Sequence, residues 1–136
     1  MAVFVRNDQS YSECTDNDLS SLNCSAKILS ITTISLLLVC IYIPPDTRSE
    51  TLHLIHENLV EVTDKFLTDH PSYRCCIVGD FNHFKVSDLC QDLSMTDLVT
   101  MPTRGNNTLD HIIMCQKTMT MLQSLLAAPS AKLTIL

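Results

Sequence analysis

At 136 residues, with 46% hydrophobic and 18% charged side chains, the chain is long enough for one packed domain and too apolar for a disordered segment. A formal net charge of −6 sets it apart from free-standing nonspecific nucleic-acid binders, which are basic. Seven cysteines without a C-x-x-C pair give no zinc or disulfide framework, so the expected state is reduced, mostly buried thiols in an intracellular setting, nuclear or cytoplasmic rather than secreted. Two N-x-[ST] sequons, at Asn23 and Asn106, carry no weight without a signal peptide.

Ala2-Val-Phe-Val5 predicts a short strand directly after the initial Met, and residues 6–18 read as a polar, turn-rich loop. The uncharged run Ile28 to Ile43, ILSITTISLLLVCIYI, is shorter than the ~20 residues of a spanning helix. Ser and Thr interrupt it, β-branched residues are frequent, and Pro44-Pro45 closes it. The expectation is buried strand, the end of one and the whole of the next, without stable membrane association.

Ser49 to Asp69 places Leu52, Ile55, Leu59, Val62 and Phe66 at steps of three and four, which predicts an amphipathic helix with Ser49 as its N-cap and Glu50 in the first turn. A strand from Tyr73 to Val78 follows, completing a strand–helix–strand crossover of the α/β kind. Beyond it the spacing predicts a short helix over 86–93, a short strand over 97–101, a turn over Thr103 to Asn107 and a strand over 109–115. The last twenty residues show no pattern.

Only two glycines occur, and Gly79 stops the apolar run just before Asp80, Phe81, Asn82 and His83. A glycine at a strand end permits a sharp turn or positive φ and presents the next side chains at the sheet edge, where α/β folds keep their sites. If the chain stays extended, Asp80 and Asn82 share a face and Phe81 points inward as an anchor. A carboxylate beside a carboxamide suits phosphate chemistry; the same letters also describe a plain turn with solvated polar groups.

Three motifs stand in order: IYIPP at 41–45, GDFN at 79–82 and TRGNNTLDHI at 103–112. Together they resemble the endonuclease/exonuclease/phosphatase superfamily, and most closely the endonuclease domain of non-LTR retrotransposons. The resemblance implies an α/β fold, a two-sheet β-sandwich flanked by helices, and Mg2+-dependent cleavage of DNA phosphodiesters. It covers residues 1 to about 116 and leaves 117–136 as a divergent tail. Carried over position by position, Asp80 resembles the general base, Asn82 the amide on the scissile phosphate, and Asp110 the aspartate that orients the catalytic histidine. Tyr42, Thr103 and Arg104 resemble phosphate-side residues. Each has a plainer alternative: Tyr42 as a strand cap with its hydroxyl in water, Arg104 as the partner of a nearby carboxylate. His111 follows Asp110 and is expected to face away from it, as a structural residue. His53, His56, His70 and His83 read as helix-face, helix-end and loop residues.

The pattern also fails in places. The family's metal-ligating glutamate lies in a region that precedes the matched one, and Glu13, in a polar loop, does not replace it. The S-D-H element expected beyond the last strand is absent, His111 being the last histidine. The expectation is a truncated relic of a DNA-nicking endonuclease, or a partial gene model, with its Mg2+ and DNA partnership ancestral and its activity lost. A phosphatase or phosphodiesterase acting on small phosphoesters, which suits the acidic charge better, and a noncatalytic, membrane-associated fragment are the alternatives. The oligomeric state stays open.

Overall fold

The structure is a computed structural model that describes residues 10–13, 26–33 and 35–115. The strand expected at Ala2–Val5, Cys14, Cys24 and the C-terminal tail lie outside the described residues. Six strands and two helices follow in the order β1 (Ser12–Glu13), β2 (Lys27–Thr32), β3 (Leu36–Tyr42), α1 (Ser49–Asp69), β4 (Arg74–Asp80), α2 (Val86–Asp92), β5 (Met95–Asp97) and β6 (Asp110–Cys115). The strands form one mixed sheet in the order β1-β2-β3-β4-β6-β5.

The apolar run divides as expected into β2 and β3, which pair antiparallel from Lys27↔Tyr42 to Thr32↔Leu37. Among the described residues no helix is long and apolar enough to cross a membrane. The segment read as a polar loop contains β1, whose Ser12 side chain meets that of Thr32 at 2.7 Å. Helix α1 carries the chain across to β4, which runs parallel to β3. Arg48, not Ser49, occupies the N-cap and makes no side-chain capping bond. On the fourth turn Thr63 is the fully buried position, while Val62 is only half-buried. The helix stops at His70, whose ring stacks on Phe66 at 4.4 Å and whose Nδ1 donates to the Phe66 carbonyl at 3.0 Å.

Period-two alternation along β3 and β4 builds two apolar layers. Leu37, Val39, Ile41, Cys75, Ile77 and Ile113 face the helices and pack with Ile55, Leu59, Phe81 and Leu89. Ile31, Leu38, Cys40, Cys76, Val78 and Met114 form a second buried cluster. Strands buried on both faces explain why β3 and β4 read as unbroken apolar runs. The cysteines are part of this packing: burial pushes the Cys75 thiol pKa far up and that of Cys76 up to about 12, with neighbouring cysteines adding to both.

Two strands differ from the sequence expectation by more than one residue at an end. Strand β4 continues through Gly79 to Asp80. Strand β5 lies at 95–97 rather than 97–101, because the Asp97 carboxylate turns back to accept the Val99 N–H at 3.1 Å and ends it.

Candidate phosphodiester site at the sheet end

Tyr42 is the last residue of β3, Asp80 the last of β4 and Asp110 the first of β6. The register pairs Tyr42 with Asp80 and Asp80 with Asp110. Partners in register share a sheet face, so the phenol and two carboxylates form one row across three adjacent strands. Tyr42 is 37% exposed, and the Asp80 side chain retains 19% of its accessible surface.

Gly79 lets β3 and β4 close at this end. Its φ is +153°, and a Cβ there would lie 1.8 Å from the Ile41 carbonyl oxygen. The glycine therefore serves a close backbone approach inside the strand, and the turn itself begins three residues later. There Asn82 takes φ +48°, a left-handed conformation that asparagine tolerates. The chain is not extended from Asp80 to Asn82, as a shared face required. Asn82 is instead turned toward the end of β3, where its Nδ2 donates to the Ile43 carbonyl at 2.7 Å. Its amide N–H donates to Asp80 Oδ1 at 3.2 Å, and the Ile43 N–H donates to the Asp80 carbonyl at 2.9 Å. Asn82 is buried, so it braces the carboxylate's backbone and keeps one further N–H of its amide. Phe81 is the inward anchor expected, fully buried, with its N–H on the Leu109 carbonyl at 2.7 Å.

Arg104 approaches from the loop before β6. Its Nη2 lies 3.3 Å from Asp80 Oδ2. The two alternatives for Arg104 thus meet in one place, since the carboxylate it pairs with is the candidate catalytic one. Thr103 lies alongside, with Oγ1 accepting the N–H groups of Leu109 at 3.0 Å and Asp110 at 3.1 Å. The Asp110 carboxylate accepts no hydrogen bond from the described residues.

His111 faces away from this row, as expected. Its Nδ1 meets Asp97 Oδ2 at 2.7 Å, its Nε2 meets the Thr108 carbonyl at 3.2 Å, and its ring stands edge-on to Phe81. Asp97 had no sequence signal; the pairing spans fourteen residues and arises only when β5 folds beside β6. His53 pairs with Glu57 on the surface of α1, and His56 pairs with Asp92 of α2 at 2.8 Å. A groove of about 450 Å³ between these helices is lined by His56, His83, Lys85 and Asp92 among others, and the row at the sheet end takes no part in it.

The donor set does not make a cation cage. Among the described residues no three His, Cys, Asp or Glu side chains converge as metal ligands. Asp80 has both oxygens engaged, one of them by a guanidinium that opposes a second positive charge. What the row offers chemically is a fork of N–H donors, a phenol hydroxyl and two carboxylates at an open edge. The guanidinium and the phenol suit recognition of a phosphoryl oxygen, which the two carboxylates oppose by charge.

No protein-family model and no curated protein matches the chain. Among solved structures, it is similar to the endonuclease domain of TRAS1, a telomere-specific non-LTR retrotransposon, with a TM-score of 0.54 and 15% sequence identity. The likeness covers 85% of this chain, which spans 59% of the length of that domain. Over the part they share, the chain has the fold of a retrotransposon endonuclease domain, an endonuclease/exonuclease/phosphatase-like α/β fold.

Proposed function

We propose that this chain is a nuclease-derived module whose sheet-end row recognises the phosphodiester of a nucleic acid, and that as a single chain it cuts DNA at no more than background rate. The observation that carries the reading is the row Tyr42–Asp80–Asp110 with Arg104 on Asp80, set at the end of a nuclease-like sheet. Arginine binds a phosphate through two parallel N–H bonds, and only one of its five donors is committed here, in a single contact to Asp80. Tyr42 stands in register beside Asp80 and is partly exposed, so its phenol is a further donor for this row.

The absence of cutting follows from the groups around Asp80. Both Asp80 oxygens are already occupied, one by the Arg104 guanidinium and one by the Asn82 N–H, and the His111 ring is engaged with Asp97 and Thr108 instead of Asp110. Magnesium belongs to this reading only as the ancestral cofactor of the fold, because the described donor set does not hold it.

The test is nicking of supercoiled plasmid by the purified chain in Mg2+, beside Asp80→Ala. The reading expects equal background for both proteins, with the chain folded by circular dichroism. Nicking that Asp80→Ala abolishes would make Asp80 a working base and overturn the claim of inactivity.

A further inference from the structure

The hydroxyl of Thr103 is turned toward backbone. Its oxygen accepts two main-chain N–H groups, those of Leu109 and Asp110, which uses both of its lone-pair directions. The N–H groups of Thr103 and Arg104 both donate to the Asn107 carbonyl at 3.0 Å, and the Asn107 N–H returns to the Arg104 carbonyl at 3.1 Å. Gly105, at φ +61°, makes the tight reversal between them. Residues 103–110 are thus a closed loop whose stem the Thr103 hydroxyl draws shut. The far side of that stem is part of the site: the Leu109 carbonyl holds the Phe81 N–H, and Asp110 opens β6 opposite Asp80.

Arg104 hangs from this loop directly after Thr103. Its side chain is 61% exposed, yet its guanidinium rests on Asp80. An exposed arginine has much rotamer freedom to lose, so its aim comes from the backbone that carries it. We infer that Thr103 is a positioning residue, whose two accepted bonds set Arg104 over Asp80 and which acts on a phosphodiester only through Arg104. The competing role is direct: the Thr103 O–H proton is still available to donate to a phosphate oxygen. The ligand in this inference rests on the function proposed above; the geometric half does not.

The experiment uses the full chain with Thr103→Val, which removes the acceptor at constant shape, Thr103→Ser, which restores it, and Arg104→Ala. Binding of a short fluorescein-labelled DNA duplex is measured for each single variant and for Thr103→Val in the Arg104→Ala background. Thr103→Val is expected to weaken binding about fivefold, the scale of one neutral hydrogen bond. Thr103→Ser is expected to restore binding, and the valine to add nothing once Arg104 is gone. An equal loss in both backgrounds would show that Thr103 touches the ligand itself and would overturn the inference.

A second readout needs no ligand. Amide exchange at Leu109 and Asp110 should speed up in Thr103→Val, and the Arg104 Nε–H should lose order by nuclear relaxation. Opened amides with an equally ordered Arg104 would also overturn the inference. If the unaltered chain binds no duplex, the proposed function fails, and this relaxation result decides the role of Thr103 by itself.

Discussion

Asp80 and Asp110 occupy directly paired positions on β4 and β6, so two carboxylates stand abreast at one end of the sheet. Like charges at opposed positions of an antiparallel pair destabilise it, and Arg104 offsets only one of these two. Asp110→Asn keeps the shape and removes a charge. The folded state should gain about 0.2–1 kcal/mol, seen as a higher urea midpoint at unchanged slope. A lower midpoint would mean that the Asp110 charge has a stabilising partner outside the described residues.

Gly79 is the tightest point of the β3–β4 pairing. A methyl group there would overlap the Ile41 carbonyl, and backbone cannot give way as a flexible side chain can. Gly79→Ala is expected to cost about 3 kcal/mol or more, or to prevent folding. Urea unfolding measures it, and a change within about 0.5 kcal/mol, the scale of an innocuous surface substitution, would rule out the close approach.

Asn82 combines a left-handed backbone with a buried bond to Ile43. Replacing it with glycine keeps the backbone freedom and removes only the bond; replacing it with alanine removes both. Asn82→Gly should lose about 1–3 kcal/mol, the cost of leaving the Ile43 carbonyl unpaired, and Asn82→Ala should lose more. Equal losses in urea titrations would show that the left-handed backbone adds no strain.

The buried thiols give the fold an alkaline limit. Cys75 and Cys76 have folded pKa values raised above the usual 9.0, with desolvation as the main cause. Between pH 9 and about 12 the unfolded chain releases these protons and the folded chain keeps them. Stability is therefore complete below pH 9 and falls as pH rises, with a slope approaching about 1.4 kcal/mol per pH unit for each thiol. Thermal unfolding at pH 8 and pH 10 should show the drop. Cys76→Ala, compared with its own pH 8 value, should lose less.

Legibility in the sequence followed the range of the interactions. Helix α1 showed itself in three- and four-residue steps, and β3 and β4 in apolar runs, because these patterns are local. The ends of β3, β4 and β6 could be located from IYIPP, GDFN and LDH, which placed Tyr42, Asp80 and Asp110 in a resemblance but not beside one another. Their alignment needed the register of three strands far apart in sequence. The left-handed turn at Asn82 had no signal strong enough to displace the extended reading. The C-terminal boundary of β5 depended on a side-chain turn at Asp97, and the His111–Asp97 pair on strands folding together. Arg104 was legible only as two alternatives, since the carboxylate it meets lies twenty-four residues away.

The central claim is that the sheet-end row recognises a phosphodiester through Arg104. Its most direct test is fluorescence anisotropy of a labelled DNA duplex with the chain and with Arg104→Ala, at two salt concentrations. The account predicts weak binding that falls with salt, and a loss of about tenfold in Arg104→Ala, the scale of one charge-assisted hydrogen bond. Equal affinity of the two proteins, or no binding by either, would contradict it.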